Sequence, residues 1–212
     1  MFYFDWTMIL IIPGLLLGLW AQFKVKSAYA KYRKVGTQRG ITAEQVARDL
    51  LARDGNTGIA IEPISGELTD NYDPNVNVLH LSQGVYGSGS IAAIGIAAHE
   101  CGHAMQKQHD YGPLKLRSAL VPVVNIGSNL YFPIFVAGII FSWKPLMTIG
   151  IICFSLTLLF SLITLPVEFD ASKRAVNALA SGGYVTTDEL KGVRSVLNAA
   201  ALTYVAAAIS SL

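Results

Sequence analysis

The sequence predicts a mainly α-helical membrane protein, with three or four transmembrane helices and an α+β region that faces the cytoplasm. Of its 212 residues, 52% are hydrophobic and only 14% are charged, which is too apolar for an ordinary soluble domain. Apolar runs of about 20 residues, the length that a helix needs to cross a bilayer, recur along the chain. Basic residues are concentrated in two of the connecting segments. Together these observations predict the fold class.

Three apolar runs, at residues 7–23, 119–143 and 145–167, are long enough or nearly long enough to cross the hydrocarbon core. The first has no basic residue before it and no small-residue cleavage pattern after it, so we expect a retained anchor and not a signal peptide. A fourth run, 196–212, is short and alanine-rich. Its length leaves open whether it spans the membrane or lies at the interface.

Lysine and arginine predict which connections face the cytoplasm, because basic loops stay on that side of the membrane. Eleven of the 16 lie between Lys24 and Arg117 and four follow the third run, whereas only Lys144 lies between the second and third runs. The N-terminus is therefore expected outside and both basic segments inside. The predicted segments are an N-terminal transmembrane anchor (1–23), a cytoplasmic region (24–118), a transmembrane hairpin (119–167), a cytoplasmic helix (168–195) and a C-terminal transmembrane or interfacial helix (196–212).

Two helices of the cytoplasmic region are predicted from their capping residues. Thr42 and Gln45 have the spacing of a capping box, and the helix that they begin should end at Gly55. Ser90 is a suitable N-cap for a second helix over residues 91–108.

The second helix should stop at Gly112-Pro113, since both residues interrupt helices. Between the two helices lie two apolar, β-branched stretches, at 58–64 and 75–82, which are predicted as strands. Residues 65–74 between them are typical of turns. The region is therefore α+β.

Composition also excludes two classes of site. A net charge of +2, with no basic run interleaved with aromatic residues, argues against a nucleic-acid partner. Cys101 and Cys153 have neither the spacing nor the context of a disulfide or a four-cysteine zinc site, so both are expected to be free thiols.

The residues that carry chemistry lie together in the second helix. His99 and His103 are four residues apart, so both imidazoles project from one face of the helix and can bind one metal ion. Glu100 lies about 100° around the helix, close enough to take a proton from a water at the metal without being a ligand. This His-Glu-x-x-His arrangement is typical of zinc peptidases.

The alternative is that these are core histidines held by packing partners, which would be the better interpretation of one histidine alone. The helix around them is alanine- and isoleucine-rich and should be buried. Three ionisable groups in one buried turn are costly unless something compensates them. A metal ion is the simplest compensation, so the sequence favours Zn²⁺ as the cofactor.

Several further stretches resemble one protein family. They are DPNVNVLHLS (73–82), GVY (84–86), AAHECGHAMQ (97–106), LRSALVP (116–122) and EFDAS (168–172). Together they resemble the YugP-type neutral zinc metallopeptidases of bacterial membranes, over nearly the whole chain. The resemblance implies a zincin-like, gluzincin-type catalytic region, distantly similar to the CAAX prenyl proteases and the heat-shock membrane proteases. It also implies a multi-pass location in the bacterial plasma membrane and a peptide or protein substrate.

Two residues compete as the third protein ligand. His109 has the spacing of metzincins, but these have a glycine three residues after the second histidine, where this chain has Gln106. Without that glycine the helix should continue and carry His109 about 9 Å along its axis, away from the metal. Glu168 is far in sequence, but most of the separation is a membrane hairpin whose ends meet at the cytoplasmic surface. Pro166 suits the first turn of a new helix that would place Glu168 at the site.

The resemblance also points to Glu168. It implies an acidic residue four positions later in the related prenyl proteases, where this chain has Ser172. His80, in the strand before the motif helix, is a candidate for stabilising the transition state, although a structural role is the commoner one for a strand histidine. The strand 75–82 could offer an edge to which an extended substrate adds.

The leading hypothesis is an endopeptidase that cleaves membrane-associated or misfolded proteins at the cytoplasmic membrane surface. The alternative is a catalytically silent membrane scaffold or partner protein that keeps the metal for structure; Glu100 argues against it, because a structural zinc site has no need of that carboxylate. A metal transporter is disfavoured, because the three clear membrane runs contain no acidic residue or histidine between their ends. The oligomeric state is not indicated by the sequence.

Overall fold

A computed structural model describes residues 11–211 as helices around one short sheet. In chain order the elements are α1 (Ile11–Tyr32), α2 (Ala43–Arg53), β1 (Ala60–Ile64), β2 (Asn71–Asp73), β3 (Val78–Ser82), α3 (Gln83–Tyr86), α4 (Ile91–Gln108), α5 (Gly112–Ile140), α6 (Lys144–Ser181) and α7 (Thr187–Ser210). The first ten residues of the predicted anchor (1–23) lie outside the described part, and α1 continues beyond its predicted end to Tyr32.

Helices α5 and α6 form an antiparallel pair with a largely apolar exposed surface. Both are long and apolar enough to cross a membrane, and little of their most apolar segments is buried inside the protein (17% for α5 and 6% for α6). Gly127, Gly138 and Gly150 lie where the two helices touch, and a Cβ added at Gly150 would come within 3.0 Å of the Phe135 backbone. Small residues at such contacts let membrane helices approach closely.

Helix α7 packs antiparallel along α1, with the Ser210 hydroxyl donating to the Gly14 carbonyl at 3.0 Å. It begins at a capping box of Thr186 and Glu189. Like α5 and α6, it is long and apolar enough to cross a membrane. However, 44% of its most apolar segment is buried by protein, far more than in α5 or α6. The last predicted run is thus part of a longer, partly covered helix that starts before residue 196.

Helix α6 runs without interruption from Lys144 to Ser181. The prediction that a new helix begins near Pro166 is wrong, since Pro166 lies inside α6. Proline removes one backbone hydrogen bond, but helices in membrane proteins tolerate it when neighbours satisfy the freed groups. The side chains of Tyr111 and Gln106 donate to the carbonyls of Pro166 (3.5 Å) and Val167 (2.7 Å), which holds this turn of α6 in place.

The sheet has three strands in the order β1-β3-β2, with β3 parallel to β1 and antiparallel to β2. Both predicted strands are present, but the prediction of turns alone over 65–74 is wrong, because β2 lies there. Asn71, Tyr72 and Asp73 stand directly before Pro74 and show no strand pattern. They form β2 because their backbone pairs with β3. The predicted edge at 75–82 is also wrong, since β3 is the central strand.

The two helices predicted from capping residues are confirmed. Thr42 and Gln45 cap α2 reciprocally, and Gly55 follows it with a φ of +81°, which favours glycine. The Ser90 hydroxyl accepts from the Ala93 N–H at the start of α4. The predicted end of α4 at Gln108 is confirmed, but Gly112-Pro113, which were expected to stop it, begin α5.

Candidate metal centre

Helix α4 presents His99, Glu100 and His103 to a cleft between the sheet, α5, α6 and α7. Buried neighbours on both sides, from Ala97 to Ala104, fix the position of this turn in the core. The two imidazoles are largely enclosed, with exposed fractions of 15% and 12%. The motif therefore lies at the floor of a cavity of about 350 Å³ and not on an open surface.

Glu168 of α6 meets both histidines. Its Oε2 lies 3.2 Å from His99 Nε2 and 3.5 Å from His103 Nε2, and the ligand atoms of the three residues all lie within 4.8 Å of one another. The approach depends on Gly102, because a Cβ at that position would come within 3.0 Å of the Ala171 carbonyl carbon. The glycine lets α6 lie directly on α4, one turn from the carboxylate.

The second ring nitrogen of each histidine is held as well. His103 Nδ1 lies 3.0 Å from Gln106 Oε1, while Gln106 Nε2 donates to the Val167 carbonyl and to Asp170 Oδ2. Because both of those partners accept, the amide nitrogen must face them, and its oxygen must accept from His103 Nδ1–H. When His103 is neutral, its lone pair is therefore on Nε2, on the side of Glu168.

His99 has the same arrangement with a different partner. Its Nδ1 lies 3.1 Å from the Ser172 hydroxyl, on the turn of α6 that follows Glu168. Ser172 thus occupies the position where the resemblance implies an acidic residue, and its hydroxyl makes the contact that a carboxylate would make. Groups of this kind orient ligand histidines in metal sites.

Charges around the cluster favour a cation. Burial lowers the pKa of His103, but its hydrogen bond with Glu168 and the negative charges of Glu100 and Glu168 raise the pKa further, so that it ends above its ordinary value. Cys101, inside the motif, does not take part: burial raises the pKa of its thiol, which lies against the Ala47 carbonyl.

The comparisons with known proteins agree with this geometry. A family described as "putative neutral zinc metallopeptidase" matches residues 7–212. The chain is 48% identical over 203 residues to the "putative membrane protease YugP" of Bacillus subtilis (strain 168), which covers 96% of this chain and 90% of the relative. No solved structure matches significantly. The chain belongs to this zinc metallopeptidase family.

The three clustered residues fit the zinc that the family name implies. Two neutral imidazoles and one carboxylate are a common donor set for a zinc ion that keeps a position open for chemistry. Glu168 is 2% exposed, and its remaining oxygen, Oε1, lies 3.7 Å from Arg117 Nη1. A buried carboxylate beside two aligned nitrogen lone pairs is the arrangement that a divalent cation satisfies.

Glu100 lies beside the cluster and not in it. Its Oε2 accepts from the Tyr72 N–H at 3.0 Å, and Tyr72 is the middle residue of β2. The Tyr72 N–H is therefore directed at Glu100 and not at β3. In this family member the edge of the sheet and the motif carboxylate face the same cavity.

Two further residues of the centre were not predicted from the sequence. Arg117 lines the cavity, and its buried Nε has no hydrogen-bond partner among residues 11–211. Tyr204 of α7 lines the same cavity beside Glu168. Both come from helices that pack over the motif, so no local pattern identifies them, although Arg117 stands in a stretch that carries the family resemblance.

The remaining candidates lie elsewhere. His109 is half exposed and pairs with Asp54, 2.8 Å away, so it does not join the cluster, as expected. His80 lies between the buried Leu79 and Leu81, whose side chains take the opposite face of β3, and it lines neither cavity beside the motif. Its position therefore gives no support to the predicted role in the transition state.

Proposed function

We propose that this chain is a zinc-dependent endopeptidase of the bacterial plasma membrane, which cleaves membrane-associated or misfolded proteins at the cytoplasmic surface. The observation that carries the proposal is the meeting of His99, His103 and Glu168 beside a carboxylate that is free of the cluster. A site built only for structure would have no use for Glu100 in this position.

His99, His103 and Glu168 would hold the metal, through Nε2, Nε2 and the carboxylate. When bound, zinc supplies polarisation of the substrate carbonyl and makes water acidic enough to lose a proton near neutral pH. Gln106 accepts from His103 Nδ1–H and keeps that imidazole in the tautomer that binds metal through Nε2, while Ser172 contacts Nδ1 of His99. Arg117 places a positive charge near Glu168, with Nη1 3.7 Å from Oε1.

Glu100 accepts the proton of the attacking water and delivers it to the leaving amine. The Tyr72 N–H holds one of its oxygens, which leaves the other to receive the proton. Because β2 is an edge strand that lines the same cavity as Glu100, an extended substrate aligned along it would bring its peptide bond over Glu100. The substrate edge is thus assigned to β2 and not to β3.

Removal of the metal tests the proposal directly. The purified protein is expected to hold about one zinc per chain, as the one three-residue cluster among residues 11–211 implies. A chelator should remove both the zinc and the cleavage of an unfolded test protein, and added Zn²⁺ should restore both. Metal content and product formation are measured on the same samples. Cleavage that persists without metal would contradict the proposal.

The proposed orientation is tested with two cysteine variants, in a background that lacks Cys101 and Cys153. Val76 lies in the turn between β2 and β3 and Trp143 in the connection between α5 and α6; both are more than half exposed. In intact cells a membrane-impermeant thiol reagent should label Trp143→Cys and not Val76→Cys. Permeabilised cells should label both, and the opposite pattern would place the site outside.

A further inference from the structure

A second cavity, of about 220 Å³, lies on the other side of His99 and Glu100 from the first. Its walls come from α1, α4 and α7 and include Val25, Tyr29, Ile96, Val196, Ala200 and Thr203. It shares Asp70, His99, Glu100 and Tyr204 with the first cavity. The two cavities therefore lie side by side at the motif, as two arms of the candidate site.

The two arms differ in chemistry. The first contains His103, Glu168 and Arg117, whereas the second is walled mainly by aliphatic side chains. Two polar side chains of the second arm are already engaged. The Thr203 hydroxyl donates to the Ala200 carbonyl at 2.6 Å, and Asp70 accepts from the Ser82 N–H and hydroxyl. The hydroxyl of Tyr29 lies close to Gly84, which is not one of the lining residues.

A cavity with this lining favours an apolar occupant, because a polar group would lose its hydrogen bonds to water and find no partner. Glu100 lines this arm. A substrate side chain next to a peptide bond at the motif can therefore extend into the arm. A lipid tail would fit the apolar walls equally well, but a lipid site would not explain why the cavity ends at the catalytic carboxylate.

We propose that this second arm, which we call the α1–α7 pocket, is a specificity subsite that takes a large apolar side chain of the substrate next to the bond that is cut. The proposal rests on the proposed peptidase function and adds the substrate class to it. Substrates would be segments with a bulky aliphatic or aromatic residue at one position beside the cleavage site, as membrane-derived or unfolded chains provide.

The test is a defined peptide library that varies the residues on each side of the cleaved bond, with kcat/KM measured by mass spectrometry. The wild-type protein should favour a large apolar residue at one position. Ala200→Phe fills the α1–α7 pocket and should lower kcat/KM for those peptides at least about tenfold, the effect expected when a hydrophobic pocket loses its fit. Peptides with Gly or Ala at that position should keep their rates.

Ala207→Phe is the matched control, because Ala207 lies on the same helix and is exposed. It should leave the preference unchanged. Ile96→Ala enlarges the pocket instead and should shift the preference towards larger side chains such as Trp, so the proposal is tested even where Ala200→Phe does not fold. Zinc content establishes that each variant retains its centre.

An unchanged preference in zinc-loaded Ala200→Phe and Ile96→Ala would overturn the subsite while leaving the peptidase intact. The same holds if Ala200→Phe loses a co-purified lipid but keeps its peptide preference. A zinc-loaded wild-type protein that cleaves no peptide of the library, nor an unfolded protein, would instead contradict the proposed function, and the subsite with it.

Discussion

Replacement of Glu100 by Gln is expected to abolish peptide cleavage and to leave the zinc content unchanged. Glutamine has the size of glutamate, and its amide oxygen can still accept from the Tyr72 N–H. In the wild-type protein this N–H lies 3.0 Å from Glu100 Oε2. An amide cannot accept the proton of the attacking water, however, and general bases contribute about 10²- to 10⁴-fold to such reactions. Cleavage rate and bound zinc are measured on one preparation.

The matched control is Glu62→Gln, since Glu62 is an exposed glutamate on β1. It should change neither rate nor metal content. A zinc-loaded Glu100→Gln variant with full activity would contradict the role of this residue as the base. Loss of zinc in the same variant would instead place Glu100 among the ligands.

Replacement of Glu168 by Ala should lower zinc affinity by at least about tenfold and remove activity. Its carboxylate is buried and lies 3.2 Å from His99 Nε2, so no neighbouring group can take its place at the centre. The measurement is a competition titration against a zinc-binding dye. Thermal unfolding of the zinc-free protein separates a lost ligand from a lost fold.

His109→Ala is the informative comparison, because His109 is the rival ligand by sequence spacing. The residue is 52% exposed and pairs only with Asp54 among the described residues, so its removal should change neither zinc affinity nor cleavage. If His109→Ala weakened zinc binding and Glu168→Ala did not, the assignment of the third ligand would be wrong.

The parts of the fold that local chemistry determines were predictable. The capping residues Thr42 and Ser90 gave the starts of α2 and α4, and the four-residue spacing of His99 and His103 gave their common face. Glu168 was predicted from the return of a membrane hairpin, and it does meet both histidines, although for a partly wrong reason. The break expected at Pro166 does not exist, since α6 continues through the proline.

What the sequence could not indicate depends on contacts between distant elements. β2 has no strand composition and forms only by pairing with β3. Arg117 and Tyr204 reach the centre because α5 and α7 pack over α4. Gln106 is the exception that a pattern could have found, since a residue three positions after His103 on a helix lies within reach of its ring.

The continuity of α6 has a geometric consequence for where the reaction takes place. From Lys144 to Glu168 the helix rises about 36 Å, at 1.5 Å per residue. The hydrocarbon core is about 30 Å thick, so in the proposed orientation Glu168 lies a few ångströms past it, among the lipid headgroups. The length of α6 thus sets the depth of the scissile bond. A thicker or thinner bilayer would move the metal relative to the membrane surface and change which peptide bonds can reach the metal.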